Sequence, residues 1–347
     1  MKKDHGGSGT EGLLDFSVNI NPLGPPACVA ETLAASLPFV TRYPSLDAHP
    51  ARRAVAGHLG LDPAEVLVGN GATELIGLLV RVLRPGRVWV LEPCYSEYRG
   101  AAEACGIPVT EVPCRAVEDR FEPVWEELAP GPGDMVFIGY PNNPTGQFPR
   151  QDALQRKQRA CPEVWWVFDE SFLDFVAAAK VSSPVLPPQP GMIAVHSLTK
   201  FYAVPGLRLG YLVAARDVVQ KLLAAKEPWT VNGIAERLAG PMLADREYAE
   251  QTRRFTRAER ARVMTFLRRL PGLRVFAAEA NFLLCELPDG CTVSGLNAYL
   301  RARGMVVRDA STFAGLSGRH FRFGLRAKIE NDRLLAALAA FIGSEHK

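Results

Sequence analysis

Residues 197–211, SLTKFYAVPGLRLGY, directly follow the apolar run MIAVH and decide how the rest of the chain is interpreted. The apolar run predicts a buried strand, so Ser197, Thr199 and Lys200 lie where that strand ends. Hydroxyls and the guanidinium of Arg208 are donors for phosphate oxygens, and a lysine amine condenses with an aldehyde. A solvated loop lysine is the alternative, but the string is long and specific. The stretch therefore predicts a lysine that binds a phosphate-bearing aldehyde cofactor as an imine.

Short apolar strands alternate with amphipathic helices before this stretch. EVLVGNG, RVWVLEP, DMVFIGY and VWWVFDE each predict a strand, and patterns such as ATELIGLLVRVLR predict the helices between them. Alternation of this kind is typical of a mostly parallel sheet covered on both faces. After a long helix pattern at about 245–270, strands and helices mix as they do in small α+β domains. The predicted fold is α/β, with a large sheet domain and a small α+β domain.

The chain length predicts more than one structural unit. Its 347 residues exceed the usual size of a single hydrophobic core. The first residues form an extended arm, because the prolines of DFSVNINPLGPP forbid a helix. We expect an N-terminal arm at 1–40 that packs with the small domain. A large cofactor-binding domain follows at 41–240, and the small C-terminal domain occupies 241–347.

Composition and charge exclude several classes of protein. The net charge is only +3, and no run of Lys and Arg marks a nucleic-acid surface. No apolar run is long enough to span a bilayer, and the N-terminus lacks the apolar stretch of a signal peptide. The seven cysteines contain no CxxC pair, so neither a disulfide framework nor a metal site is predicted. Reduced thiols favour a cytoplasmic protein.

Three further motifs supply groups that such a cofactor could use, each with a plain structural alternative. VWWVFDES ends a strand at Asp169, whose carboxylate could keep a pyridine nitrogen protonated or simply cap a helix. YPNNPTG places Asn143 in a proline-locked turn, as an amide donor to a phenolate oxygen or as an ordinary β-turn residue. VGNGATEL presents the amides of Ala72 and Thr73 at a helix N-terminus, a ready phosphate seat.

Taken in order, GNGATEL, EPCYSEY, YPNNPTG, DES, SLTKFYAVPGLRLGY and FRFGLR resemble a fold-type-I pyridoxal-phosphate enzyme of the aspartate aminotransferase class. The resemblance covers essentially the whole chain and is strongest to the histidinol-phosphate aminotransferase branch. Within that branch the chain is more closely similar to the L-threonine-O-3-phosphate decarboxylases of cobalamin biosynthesis. The closer likeness rests on His5-Gly6-Gly7, on LDFSVNINPLGPP and on DESFLDF. It implies pyridoxal 5'-phosphate as cofactor and (R)-1-amino-2-propanol O-2-phosphate as product.

The resemblance also implies roles for individual residues. Lys200, Asp169 and Tyr95 would be catalytic, with the cofactor ring under Tyr95 and its nitrogen on Asp169, while Asn143 donates to the phenolate. The implied holders of the cofactor phosphate are Ala72, Thr73, Ser197, Thr199, Arg208 and, from the partner subunit, Tyr43. The implied substrate-binding residues are Arg322 for the α-carboxylate and His5, Asn21 and Arg308 around the substrate phosphate. Sharing of Tyr43 implies a homodimer.

One position departs from the aminotransferase branch, and alternatives stay open. Phe172 stands where that branch carries a tyrosine that also donates to the phenolate, which leaves Asn143 as the main donor. A histidinol-phosphate or other amino-acid aminotransferase is the second interpretation, and phosphoserine could replace phosphothreonine as substrate. A non-catalytic pyridoxal-binding domain is the third, although intact Lys200, Asp169 and Arg208 argue against it. Decarboxylation or transamination depends on which Cα bond is held perpendicular to the cofactor ring.

Overall fold

The computed structural model describes residues 6–7, 11–176 and 181–345. Its strands are β1 (Leu14–Asp15), β2 (Val66–Gly69), β3 (Val88–Glu92), β4 (Val109–Val117), β5 (Arg120–Pro123), β6 (Met135–Gly139), β7 (Trp165–Asp169), β8 (Met192–Ser197), β9 (Gly210–Val213), β10 (Arg274–Val275), β11 (Phe282–Glu286), β12 (Met305–Val306), β13 (Arg308–Asp309) and β14 (His320–Gly324). Its α-helices are α1 (Ala27–Ser36), α2 (His49–Leu59), α3 (Ala72–Leu83), α4 (Glu97–Ala104), α5 (Gln151–Ala160), α6 (Leu198–Phe201), α7 (Arg216–Ala225), α8 (Gly233–Ala244), α9 (Arg246–Leu267), α10 (Val293–Arg301) and α11 (Lys328–Glu345).

Strands β2 to β9 form one large sheet in the spatial order β2-β9-β8-β7-β6-β3-β4-β5. The central strands β8, β7, β6, β3 and β4 run parallel to one another. Strand β9 is antiparallel to both β2 and β8, and β5 is antiparallel to β4. β3 and β6 are buried along their whole length because both faces of the sheet are covered. The α/β fold predicted from the sequence is confirmed, with antiparallel strands toward both edges.

Helices cover the two faces of the large sheet with separate apolar layers. On one face, α3 buries Leu75, Ile76 and Leu79 next to β8 and β9. These residues recur at the spacing that gives a helix one apolar side. On the other face, α1 and α2 pack against α8 and complete a second layer. The sheet is therefore held rigidly from both sides, and its strand ends are fixed in position.

The C-terminal part of the chain has a core of its own. Its antiparallel sheet has the order β10-β11-β14-β13 and shares an apolar cluster with residues of α9, α10 and α11. Phe16 lies in this cluster, and β1 pairs in parallel with β12, Leu14 opposite Met305. The start of the arm thus packs with the small domain. Helix α1, which falls within the predicted 1–40 arm, packs instead on α8 of the large domain. The boundaries near 41 and 241 stay predictions.

Within the described ranges, no helix combines the length and the apolar character that a membrane span requires. The same residues contain no group of three or more His, Cys, Asp or Glu arranged to hold a metal ion. All seven cysteines lie in the described part of the chain, and each is a free thiol.

Candidate active site

A cleft of about 980 Å³ opens where the parallel strands of the large sheet end, between that sheet and the small domain. Asp169 and Lys200 reach it from the large sheet, and Arg308 and Arg322 from the small-domain sheet. Asn19 of the N-terminal arm completes the lining. The carboxyl ends of parallel strands are where α/β sheets bind ligands. The cleft therefore unites groups from all three parts of the chain.

Lys200 enters the cleft from α6, which begins directly after β8. Its Nζ donates to Ser197 Oγ at 3.0 Å, and that oxygen lies 2.8 Å from Thr199 Oγ1. Burial lowers the pKa of Lys200 to about 8, opposed by the negative charge of Asp169 and assisted by the positive charge of Arg208. A lysine desolvated in this way carries a useful neutral fraction near neutral pH, which attack on an aldehyde requires.

Asp169 is the last residue of β7 and is buried at the cleft floor. Its Oδ2 accepts a hydrogen bond from Tyr98 Oη at 2.7 Å, and its Oδ1 accepts from the Ser171 amide at 3.0 Å. The helix-cap alternative does not hold, because the 3-10 turn that follows has Phe172 at its N-cap position. The carboxylate thus accepts two hydrogen bonds and lines the cleft, where it can pair with a protonated ring nitrogen.

The N-terminus of α3 and Arg208 converge on one point, and two glycines make this possible. Gly71 has a φ of +85°, and a Cβ there would collide with the Arg208 guanidinium. A Cβ on Gly210 would come within 2.7 Å of the Ala72 amide nitrogen. The backbone amides at the start of a helix bind anions, and a guanidinium strengthens such a seat. This corner of the cleft is built for a phosphate group, with Thr73 in the same turn.

Tyr95 and Asn143 stand between the two ends of the cleft. The Tyr95 hydroxyl lies 3.2 Å from Thr73 Oγ1, and its ring meets the Tyr98 ring edge-on with centroids 5.6 Å apart. Asn143 Oδ1 accepts from Arg322 Nη1 at 2.5 Å. An amide whose oxygen is engaged in this way has its NH2 group as the remaining donor. Tyr95 and Asn143 therefore supply a ring face and an amide donor.

Arg308 and Arg322 are directly opposite each other in the antiparallel pair β13–β14. Both side chains are buried, and like charges in such a position repel. Burial and the charge of Arg308 lower the pKa of Arg322 to about 9, with Asp15 opposing both. Arg322 Nη2 donates to Ser17 O at 2.7 Å. Two buried guanidinium groups side by side make this wall of the cleft a strong anion site.

The structure corrects the role predicted for Asn21. Its side-chain NH2 donates to Phe201 O at 2.8 Å and to the hydroxyls of Tyr248 and Thr252, both at 2.9 Å, while its Oδ1 accepts from the Leu23 amide. Asn21 does not line the cleft and instead fixes the arm to the body of the protein.

Asn19, two residues earlier, takes the position that was predicted for Asn21. It lines the cleft, is buried, and its Oδ1 has no hydrogen-bond partner among the described residues. The motif NIN contains two asparagines, and nothing in the motif itself distinguishes between them.

His5 and Tyr43 were also predicted to belong to the site. His5 lies outside the described residues, but the adjacent Gly6 lines the cleft, and Gly7 N donates to Ser17 Oγ at 3.0 Å. Tyr43 does not line the cleft of its own chain. Its side chain is 84% exposed and lies beside Trp229, with ring centroids 5.2 Å apart. Contact of Tyr43 with a cofactor phosphate would thus need a second subunit.

The remaining groups fit pyridoxal 5'-phosphate in kind. The cleft offers an amine of lowered pKa on Lys200, a buried carboxylate on Asp169, a phosphate seat at α3, and an amide on Asn143. Phe172 contributes only an apolar face, with its ring centroid 5.7 Å from Lys200 Nζ. The main group that the sequence did not indicate is Tyr98, because its EYR context is ordinary for an amphipathic helix.

Comparison with known proteins shows similarity along nearly the whole chain. A family model described as aminotransferase class I and II matches residues 11–341. A threonine-phosphate decarboxylase of Salmonella typhimurium is 35% identical over 333 residues, which cover 94% of this chain and 90% of that protein.

Solved structures agree with this similarity. The histidinol-phosphate aminotransferase from Clostridium acetobutylicum superposes with a TM-score of 0.87 at 26% identity, covering 96% of this chain and 100% of that one. The L-threonine-O-3-phosphate decarboxylase from Porphyromonas gingivalis superposes with a TM-score of 0.83 at 26% identity, covering 95% of this chain and 100% of that one. The backbone likeness therefore extends over both domains and the cleft between them.

Proposed function

The chain belongs to the aminotransferase class I and II family, and from that premise we propose that it decarboxylates L-threonine O-3-phosphate. The product is (R)-1-amino-2-propanol O-2-phosphate, a linker precursor in cobalamin biosynthesis, and the cofactor is pyridoxal 5'-phosphate, on which this family depends. One observation carries the proposal: a single cleft contains two separate anion sites, at the N-terminus of α3 and at the Arg308–Arg322 pair. The cofactor phosphate uses the first site. A substrate with both a phosphate and a carboxylate uses the second.

Residues of the large domain form the proposed cofactor site. When bound, the cofactor acts as an electron sink that stabilises the charge left at the substrate Cα. Lys200 Nζ is the attachment point, and Asp169 holds the ring nitrogen protonated. Tyr95 covers the ring, and Asn143 donates to the phenolate oxygen. The proposed phosphate ligands are Ala72, Thr73, Ser197, Thr199, Arg208 and Tyr43 of the partner subunit.

The small domain and the arm form the proposed substrate site. Arg322 binds the α-carboxylate, because it is buried beside Asn143 and its guanidinium needs an anion. Arg308 binds the substrate phosphate. Its Nη2 also donates a hydrogen bond to Thr312 Oγ1 at 3.0 Å. Asn19 adds a polar side chain at this end, and rotation of its amide presents an NH2 donor in place of the oxygen. We include His5 in this proposed set because the next residue, Gly6, lines the cleft.

Lys200 and the neighbouring Phe172 support a lyase reaction. A Lys200 amine with a pKa near 8 can hold or release a proton at Nζ under neutral conditions, so we assign it the return of a proton to the substrate Cα. Phe172 packs edge-on against Phe282, with centroids 4.9 Å apart, and keeps water away from that amine. Its lack of a hydroxyl leaves Asn143 as the donor on that side of the cofactor.

Transamination is the alternative reaction, and the backbone comparison favours it. The TM-score of 0.87 to a histidinol-phosphate aminotransferase exceeds the 0.83 to a threonine-phosphate decarboxylase. Both values measure backbone likeness, and the two activities share one scaffold. The sequence identity of 35% to a decarboxylase favours the lyase reaction.

The proposed active form is a homodimer with shared sites. Large apolar side chains are exposed in the segment that follows α1 and at Trp229, which lies beside Tyr43. These exposed residues are Leu37, Phe39, Val40, Tyr43, Leu46 and Trp229. Exposed apolar side chains concentrated in this way are typical of an interface between subunits. We also propose a cytoplasmic location, as the free cysteines suggest.

The decisive experiment measures two products from one purified protein. Loaded with pyridoxal 5'-phosphate, the protein is given O-phosphothreonine while released CO2 is followed. In parallel, it is given histidinol phosphate or glutamate with a 2-oxoacid while amino transfer is followed. CO2 release from phosphothreonine at a rate well above amino transfer supports the proposal, and amino transfer without CO2 release refutes it. O-phosphoserine in a third reaction tests whether the substrate methyl group is required.

A further inference from the structure

Tyr98 places a hydroxyl within hydrogen-bond distance of the Asp169 carboxylate, and both residues line the cleft. It lies on α4, is 1% exposed, and donates from Oη to Asp169 Oδ2 at 2.7 Å. The other carboxylate oxygen accepts only a backbone amide among the hydrogen bonds of the described residues, that of Ser171. Among the described residues, Tyr98 therefore supplies the side-chain hydrogen bond to Asp169.

Aromatic contacts hold the Tyr98 hydroxyl in place. Its ring stacks on Phe137 of β6 with centroids 4.8 Å apart and an interplanar angle of 4°. Its edge meets Tyr95 at 5.6 Å and 84°. Because Tyr98 and Phe137 are both buried in the same apolar cluster, the ring has little freedom to rotate. The distance from the hydroxyl to Asp169 is thus set by packing.

The charges around this contact make Tyr98 a donor at all working pH values. Burial, and then the negative charge of Asp169, raise the pKa of Tyr98 well above its usual range, so the hydroxyl keeps its proton. A hydrogen bond to an ionised carboxylate favours the ionised form and is stronger than a bond between neutral groups. Lys200 and Arg208 are the cations on the cleft side. Tyr98 adds a hydrogen-bond donor to Asp169 without adding a charge.

We propose that Tyr98 is a positioning residue that stabilises the negative charge on Asp169 and thereby keeps the cofactor ring nitrogen protonated. A buried carboxylate that lost this donor would share the ring proton more readily, and the ring would be a weaker electron sink. The inference rests on the proposed cofactor site at Asp169. It does not depend on which substrate the enzyme turns over.

Substitution Tyr98→Phe tests the role, since it removes the hydroxyl and keeps both ring contacts. Tyr140→Phe is the matched control. Tyr140 is also buried, and its hydroxyl accepts from Gln151 Nε2 at 2.9 Å, away from the cleft. Two properties of the holoenzyme are measured: the dissociation constant of the cofactor, and the pH midpoint of the absorbance change of the lysine-bound cofactor. Neither measurement requires a substrate.

Tyr98→Phe is expected to weaken cofactor binding by about tenfold or more, because a charge-assisted hydrogen bond is lost. The pH midpoint should rise by roughly half a unit or more, because a less positive ring makes protonation beside Lys200 easier. Tyr140→Phe should keep the dissociation constant within about twofold, and the pH midpoint within about 0.1 unit, of the wild-type values. Equal behaviour of the two variants overturns the proposal and makes Tyr98 a packing residue.

Asp169→Asn provides the second arm. In that background Tyr98→Phe should have little further effect on the pH midpoint, since no carboxylate charge remains to be stabilised. Equal shifts with and without the carboxylate contradict the proposal. If Tyr98→Phe does not fold, Phe137→Leu, which keeps the hydroxyl but loosens the ring stack, should shift both readouts the same way by less. A protein that does not turn over phosphothreonine would still give these spectroscopic results. The proposed function and the role of Tyr98 can therefore be refuted independently of each other.

Discussion

The two ends of the cleft are built in different ways. At the cofactor end, Asp169 ends β7 and Lys200 follows the neighbouring parallel strand β8, with Asp169 opposite Val195 in the register of the two strands. At the other end, Arg308 and Arg322 face each other on the small-domain sheet beside the arm. The first end depends on one rigid sheet. The second depends on how the arm and small domain pack onto it, so substitutions at the two ends should have separable effects.

The largest effect is expected at the cofactor end, from Lys200→Ala. Loss of the proposed attachment point and proton carrier should lower turnover by roughly a hundredfold to ten-thousandfold and remove the absorbance of the lysine-bound cofactor. Lys221→Ala, at an exposed lysine that pairs with Asp217 in its own helix, is the control. A borohydride-reducible cofactor adduct at another lysine in the Lys200→Ala protein would contradict the assignment.

Arg308→Ala tests the substrate end. It should lower kcat/KM for phosphothreonine by about ten- to a hundredfold, because a charge-assisted contact to a phosphate is worth about 1.5–3 kcal/mol. Binding of unphosphorylated threonine and the cofactor spectrum should be unchanged. Arg303→Ala, at an exposed arginine over Tyr299, is the control. An unchanged kcat/KM removes Arg308 from the site and weakens the decarboxylase proposal.

The lowered pKa of Lys200 predicts a pH dependence for cofactor loading. Only the neutral amine attacks the aldehyde, so the rate of loading cofactor-free protein should rise with pH and level off above about 8. At pH 7 roughly a tenth of such lysines are neutral, against well under a thousandth for an ordinary lysine. Stopped-flow absorbance measures this rate. A rate that keeps rising tenfold per unit up to pH 10 would show that Lys200 is not desolvated.

The smallest effect is expected from Tyr43→Phe, which removes the hydroxyl that we propose reaches the partner subunit's site. Cofactor affinity should fall by a few-fold, and kcat with saturating cofactor should stay near that of wild type. Sedimentation of the wild-type protein with turnover measured at the same concentrations tests the shared site. A fully active monomer would refute the homodimer.

The cofactor end was largely predictable from the sequence. A strand followed by a motif such as SLTK fixes where its side chains lie to within one turn, because the strand end is a local feature. The glycines on either side of the predicted phosphate site could also be recognised in the sequence. The antiparallel hairpin of β4 and β5 was not predicted, since Glu118 and Asp119 between the two strands give no strong turn signal.

Local motifs in a fixed order were enough to predict the α/β sheet, the lysine at the end of β8 and the family. In contrast, it is the folded chain that shows that Asn19 lines the cleft and that Asn21 does not. A regular extended segment would put both on one side, but the chain turns at Asn21, where its Oδ1 accepts from the Leu23 amide. The contact of Tyr98 with Asp169 likewise joins residues 71 positions apart. Packing of α4 on the sheet creates that contact, and no local pattern encodes it.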